Sequence, residues 1–537
     1  MKREFKKIEK SLNNISGLVN SGKTRLSGRK GKVKAGWNDG FGSGKGSKLF
    51  CLMDGSNSQI RKGAEFNTEQ YDRIYETPFK GARTDPLSTF SIDVDAASYA
   101  NTRRFLNDQQ LPPKDAVRIE EMINYFAYDY PQPKDKHPFS IITEASECPW
   151  NQKHKLVHIG LQGKIIKQEN YPPGNLVFLL DVSGSMEYHN KLELLKKSLG
   201  LLVSQLRKQD KVAIVVYAGA AGLILPPTSG LYKQKILDAL NRLNAGGSTA
   251  GGAGITLAYK VAMDNYLKQG NNRVILATDG DFNVGVSSES ALVRLIEEKR
   301  KSGIYLTVLG FGTGNYKDSQ MEKLADKGNG NYAYIDNIRE AKKVLGNELG
   351  GTLVTIAKDV KIQVEFNPAK VNAYRLIGYE NRTLAAQDFN DDTKDAGELG
   401  SGHTVTALYE VVPKGVSITI PGIDSLKYQK PGTPNAQKSN DLFTIKFRYK
   451  MPTDSVSRLI VKVLNDKHPT SKKSSGNYRF SAAVASFGML LRDSKYKGES
   501  DYDQVLAMAK GAKGPDEKGY RAEFIRMVET AQLLAGK

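Results

Sequence analysis

The chain has 537 residues, with 78 Lys and Arg against 58 Asp and Glu for a net charge of +20; that length calls for roughly two to four domains rather than a single core. A hydrophobic fraction of 39% beside 25% charged residues lets a sizeable core form and excludes both a disordered polymer and a membrane-embedded chain. Two cysteines, Cys51 and Cys148, exclude a disulfide framework and a zinc site built on paired cysteines.

Residues 1–65 read as a disordered basic tail. Met1 to Ala64 carries fifteen Lys and Arg against four acids, a net of +11, in Gly-, Ser- and Lys-rich stretches (GRKGKVKAG, GFGSGKGSK) without a sustained apolar period. Such a tail can be drawn to nucleic acid, but solvated charge is the simpler reading, and nucleic acid is not an expected partner. Within the tail, Gly17 to Thr24 (GLVNSGKT) has the spelling of a phosphate loop. A working phosphate loop hangs between a buried strand and a helix; neither neighbours this one, so it reads as a chance match. The basic amino terminus leads into no apolar stretch of about seven to fifteen residues, so no signal peptide is expected and the chain as written reads as cytoplasmic. The longest charge-free apolar run, Val212 to Leu225, falls short of the ~20 residues of a bilayer-spanning helix, so no transmembrane segment is expected.

Residues 66–155 read as a small α/β unit. TFSIDVDAASY carries an apolar strand before Asp93 and Asp95, NTRRFLNDQQ reads as a helix, AVRIEEMINYFAYDY follows, and PFSIITEA is strand-like. Asp93 and Asp95 imitate a phosphatase nucleophile pair, but the accompanying loops are missing, so turn or cap roles are expected.

Residues 170–345 alternate short apolar runs with helical-period stretches, the pattern of a doubly wound, mostly parallel sheet. NLVFLL (175–180), VAIVVYA (212–218), RVILATD (273–279) and YLTVLGFG (305–312) are nearly all apolar, as strands covered on both faces must be. GLILPPTSG reads as a reversed edge strand because Pro226 and Pro227 would break a central ladder, and NYAYID (331–336) adds a further strand. KLELLKKSLGLLVSQLRKQ, YKQKILDALNRL, ITLAYKVAMDNY, SESALVRLIEEKRKSG and REAKKVLGNEL read as covering helices.

Residues 346–537 read as a β-sandwich followed by helices. VKIQVEF, VNAYRLIGYE, TVTALYEVV, LFTIKFRYK and RLIVKVL recur between turn-rich loops. FSAAVASFGMLLRDSKY, YDQVLAMAK and GYRAEFIRMVETAQLLA then close the chain, with apolar positions placed to pack on the sandwich. The loop Asp388 to Asp395 lacks the glycine and terminal glutamate of a calcium hand and reads as solvated.

Ligands of open parallel sheets bind beyond the carboxyl ends of the strands. The loop after NLVFLL reads Asp181-Val182-Ser183-Gly184-Ser185-Met186, an acid and two hydroxyls at alternate positions that can point one way in an extended turn. RVILATD ends on Asp279, and the glycine-rich loop GGSTAGG between them offers Thr249. Two carboxylates and three hydroxyls make an all-oxygen set suited to a hard divalent cation, Mg²⁺ or Mn²⁺.

DVSGSM, GGSTAGG and ATDGD resemble the metal-ion-dependent adhesion site of von Willebrand factor type A domains, over about Asn175 to Leu345. The resemblance implies that Asp181, Ser183, Ser185, Thr249 and Asp279 are the five positions of a metal site. It implies a site for Mg²⁺ (or Mn²⁺ or Ca²⁺) that coordinates a Glu or Asp carboxylate of a protein partner, with no catalytic residue and no small-molecule substrate. TFSIDVDAASYANTRRFL, RIEEMINYFAYDYPQP and the long carboxyl-terminal unit are similar to a bacterial group in which type A domains carry dedicated flanking domains. Many of its members are exported or lipid-anchored, which points to the cell envelope, against the lack of a signal here. The alternative is a metal-assisted hydrolase or phosphoryl-transfer enzyme using the same site; it lacks an evident base, since His189 reads as a surface residue at a helix start.

Overall fold

In the computed structural model the described residues are 69–248, 251–280, 289–420, 439–465 and 474–536. The basic tail 1–65, with its Gly17 to Thr24 spelling, and Thr249 lie outside the described residues.

The apolar runs of the middle third form one six-stranded sheet. Its strands are β1 (Gly174–Asp181), β2 (Lys211–Tyr217), β3 (Ala221–Ser229), β4 (Asn271–Thr278), β5 (Tyr305–Phe311) and β6 (Tyr332–Ile335). They lie side by side as β6-β5-β4-β1-β2-β3, all parallel except the β2–β3 pair. Every residue of β1 and β4 is buried, the condition that makes unbroken apolar runs necessary. β3 is the antiparallel edge, where Pro226 and Pro227 cost no central ladder bond.

Helices α1 (Leu194–Gln205) and α2 (Lys233–Asn241) pack on one face. Helices α3 (Gly251–Asp264), α4 (Glu289–Arg300) and α5 (Asp318–Lys327) pack on the other. Strand order runs outward from β1 in both directions, so the crevice between the ends of β1 and β4 is the topological switch point, where such sheets bind ligands.

The flanks meet in two antiparallel sheets. One contains Lys80–Gly81, Val371–Ile377, Thr404–Pro413, Asn151–Gly163 and Phe139–Cys148. The other contains Gly397–Gly400, Thr355–Phe366, Asp441–Lys450 and Arg458–Asn465, with Leu87–Ser91 paired to Thr355–Phe366. Val157, Ile159, Tyr374 and Tyr409 of the first share one apolar core with Phe90, Ile362, Phe366 and Phe447 of the second. The sandwich therefore draws strands from both sides of the central domain. Period-two patterning says which side chains face inward but not which strand lies alongside.

Gly476–Arg492, Tyr502–Gly511 and Tyr520–Leu534 close the chain as helices over a core that includes Met122, Trp150, Leu408, Phe487 and Phe524. Among the described residues no helix is long and apolar enough to cross a membrane.

Buried ion pairs join the flanks to the central domain. Arg103, 3% exposed, donates to Asp336 through Nε at 2.9 Å, to Glu340 at 2.8 Å and to Glu523 at 2.9 Å. Arg382 reaches Asp95 at 3.0 Å and Glu322 at 3.2 Å, and Arg118 reaches Glu322 at 2.9 Å.

Two sequence readings change here. Asp95 does not cap a helix; it accepts the Tyr332 N–H at 2.8 Å and pairs with Arg382, tying the first flank to β6. Nor is the Asp388 to Asp395 loop merely solvated. Lys361 donates to the carbonyl of Asp388 at 3.1 Å, Lys450 to that of Asp392 at 2.7 Å, and Arg448 to the Asp392 carboxylate at 3.2 Å. Lysine and arginine partners far along the chain leave no local pattern.

Candidate metal-binding site

The site is assembled by register. Leu180 of β1 pairs with Ala277 of β4, so Asp181 and Thr278 emerge side by side, and the Thr278 hydroxyl donates to Asp181 Oδ2 at 3.1 Å. The Tyr217 hydroxyl, from the end of β2, donates to the same oxygen at 3.1 Å. The Ser183 N–H donates to Asp181 Oδ1 at 2.9 Å, which folds the loop back on its own acid. Ser183 and Ser185 hydroxyls stand 3.1 Å apart, and Ser185 also hydrogen-bonds Asp279.

Asp181, Ser183, Ser185 and Asp279 thus come together at the mouth of the switch-point crevice. Asp181 and Asp279 are fully buried and Ser185 half-buried. The glycine-rich loop that carries Thr249 is docked on this cluster, with Gly184 N–H donating to Gly247 O at 3.0 Å and Gly246 N–H to Val182 O at 2.8 Å. After Asp279 the chain turns through Gly280 at φ +88°, where a Cβ would stand 2.7 Å from the Lys317 nitrogen; only glycine allows the turn.

The two carboxyls are shifted in opposite directions. Burial raises the Asp181 carboxyl to about 6, against hydrogen bonds from Ser183 and with the charge of Asp279 adding to the rise. Burial also pushes on Asp279, but the Lys191 ammonium, with hydrogen bonds from Asn315 and Ser185, outweighs it and holds that carboxyl below the usual range. Lys191 Nζ lies 3.0 Å from Asp279 Oδ2 and 2.8 Å from Asn315 Oδ1. Asn315 Nδ2 in turn donates to Asp279 Oδ2 at 3.1 Å.

The first flank buttresses the loop that carries Asn315. Glu69 Oε1 accepts the Gly314 N–H at 3.0 Å, and the Gln70 N–H donates to Tyr316 O at 3.1 Å.

Sequence reasoning missed Lys191, Asn315, Tyr217 and Thr278. Three of these lie at or just past the carboxyl ends of strands flanking the switch point, so the rule that pointed to Asp181 and Asp279 also covers them. Lys191 has no such signal.

The donor chemistry fits a hard divalent cation. Asp181, Asp279, Ser183 and Ser185 offer only oxygen, with no soft thiolate or imidazole among them. Among the described residues no three His, Cys, Asp or Glu side chains are grouped to hold a metal.

Three family models match: "von Willebrand factor" over residues 65–158, "von Willebrand factor type A domain" over 175–347, and "Uncharacterized protein YfbK, C-terminal" over 351–534. The uncharacterized protein YfbK of Escherichia coli (strain K12) is 45% identical over 473 residues, spanning 86% of this chain and 81% of that protein. The uncharacterized protein sll0103 of Synechocystis sp. (strain ATCC 27184 / PCC 6803 / Kazusa) is 25% identical over 194 residues, 36% of this chain and 44% of its own. Among solved structures, the von Willebrand factor type A protein from Catenulispora acidiphila aligns with 75% of this chain and 92% of its own, at 15% identity and a TM-score of 0.42. With a central domain, a leading flank and a closing flank all matched, the chain belongs to the YfbK family of von Willebrand factor type A domain proteins.

Proposed function

We propose that the chain is a divalent-cation-dependent protein-binding module whose central domain takes an acidic side chain of a partner through a bound Mg²⁺, with Mn²⁺ or Ca²⁺ as substitutes. The observation that carries this reading is the convergence of Asp181, Ser183, Ser185 and Asp279, all hard oxygen donors, at the switch point of the sheet. Membership of a type A domain family supports metal-dependent protein interaction in general.

A cation held there supplies a Lewis-acidic centre for an outside carboxylate, since neutral hydroxyls leave much of its charge uncompensated. The chain's own residues do the positioning. Tyr217 and Thr278 hold one oxygen of Asp181, the Ser183 N–H holds the other, and Asn315 orients Asp279.

The alternative, a metal-assisted hydrolase, needs a general base beside the cation. In the metal-free protein Lys191, the basic side chain at the site, is held by Asp279 and Asn315.

Thermal melting of the full chain with Mg²⁺, Mn²⁺ or chelator tests the reading, because a ligand that binds only the folded state raises its stability. Wild type should be stabilised by metal and Asp181→Ala should not. Identical, metal-independent melting of both would refute the site. Metal-dependent capture of carboxylate-bearing peptides, lost in Asp279→Ala, tests the partner chemistry. Robust phosphoester or peptide hydrolysis lost in the same variant would replace the module by an enzyme.

A further inference from the structure

The site contains a cation that the chain itself supplies. Lys191 is 4% exposed, and its ammonium sits between Asp279 Oδ2 at 3.0 Å and Asn315 Oδ1 at 2.8 Å. This placement is built by three other parts of the fold. Lys191 lies in a π-helical turn, His189–Glu193, that separates the Asp181 to Met186 loop from α1; such wide turns recur at functional sites. Gly312, just beyond β5, has φ +81°, and a Cβ there would overlap Cγ, Cδ and Cε of Lys191, so the glycine leaves the channel through which the lysine stem passes. Asn315 binds both the ammonium and the carboxylate, closing a three-membered polar ring.

Resting on the metal-site reading above, we propose that Lys191 is an internal competitor of the divalent cation. Its ammonium occupies Asp279 in the metal-free protein and gives up that carboxylate when the metal enters, so it weakens divalent affinity and makes loading reversible. The physical reason is electrostatic. The ammonium neutralises one of two buried carboxylates, which lets a site of two acids fold without metal, and it repels a dication arriving at the same carboxylate. A hydrogen bond to a charged group has a net worth that corresponds to roughly tenfold to hundredfold in an equilibrium constant. Lys191 therefore lowers Mg²⁺ affinity by about that factor.

The test is titration of the full chain with Mn²⁺ and Mg²⁺ by calorimetry, for wild type, Lys191→Met, Lys191→Gln and Asp181→Ala, with melting in chelator as a second readout. Both Lys191 variants should bind the metals roughly tenfold to hundredfold more tightly than wild type. They should melt lower than wild type in chelator and gain more on adding Mg²⁺. Lys191→Gln keeps a donor for Asp279 without the charge and carries the comparison if the methionine variant does not fold. Equal or weaker metal binding in the Lys191 variants, with binding abolished in Asp181→Ala, overturns the competitor role while the metal site stands. Wild-type and Asp181→Ala chains that titrate alike overturn the metal site and the competitor role together.

Discussion

Substituting Asp181 by asparagine should stabilise the metal-free protein, although Asp181 is at the centre of the site. Its carboxyl is fully buried, and desolvation, opposed by hydrogen bonds from Ser183, raises it from 3.8 to about 6. Above that value, keeping the group ionised in the folded state costs roughly 3 kcal/mol, the shift converted at about 1.36 kcal/mol per pH unit. Because the folded value is the higher one, the group's contribution to stability is fully present below 3.8 and is lost as pH rises through about 6. In Asp181→Asn the amide oxygen can still accept the Ser183 N–H, and the amide nitrogen can donate to the Tyr217 and Thr278 hydroxyls, whose protons rotate. Allowing about 1 kcal/mol for imperfect bonds, the variant should be more stable than wild type by about 1–3 kcal/mol near pH 7.5. That advantage should vanish near pH 4. The repulsion between Asp279 and Asp181 is lost in the variant and is part of its advantage, whereas buried acids away from Asp181 titrate alike in both proteins and cancel in the difference. The assay is thermal melting in chelator at the two pH values, followed by melting in saturating Mg²⁺. There the order should reverse, since about 4.1 kcal/mol is gained at a thousandfold excess over Kd by the protein that binds. An asparagine variant that melts below wild type in chelator near neutral pH, or keeps the same advantage in acid, would refute the reasoning.

Arg103→Met should cost about 3–5 kcal/mol, because Asp336, Glu340 and Glu523 are left without their shared guanidinium; melting should show the loss and its partial recovery in acid, as Asp336, whose carboxyl burial already raises, takes up a proton. Gly254→Val should cost about 1–3 kcal/mol by overpacking, since a Cβ on α3 would lie 2.9 Å from Tyr217 Cβ and 3.1 Å from Leu179 Cδ1; displacing Tyr217 should also reduce stabilisation by Mg²⁺. Burial lowers His158 to about 3, with the Tyr130 hydroxyl at 2.6 Å and Ser481 at 3.0 Å around its ring. The stability carried by neutral His158 is present above 6.5 and is lost as pH falls toward 3, so His158→Gln should shrink the drop in melting temperature between about pH 7 and pH 4.

The central domain was legible in the amino-acid order because its constraints are local. A strand covered on both faces has to be an apolar run, as in the wholly buried Gly174–Asp181 and Asn271–Thr278. A strand with paired prolines is confined to an edge, as in Ala221–Ser229. Acid and hydroxyl at alternate positions after a strand can be read without knowing what lies opposite, and Asp181, Ser183 and Ser185 of that pattern lie together with Asp279 from the adjacent strand. The flanks were legible only as strands and helices. That Leu87–Ser91 pairs with Thr355–Phe366, and Asn151–Gly163 with Thr404–Pro413, depends on side-chain complementarity between segments more than two hundred residues apart. The same holds for Asp95, bound to Arg382 far along the chain.

Lys191 marks the boundary most sharply. In the linear order it is one more lysine among the polar residues that begin a helix, whereas in the fold it is buried 3.0 Å from Asp279, 88 positions later. Local patterning therefore determined the strands of the central sheet, because burial on two faces restricts residue type position by position, and the acid and hydroxyl spacing after those strands marked the candidate site. Only the tertiary structure decided which charge meets which, because electrostatic pairing acts across space, and the distances it depends on exist only once the strands are in register.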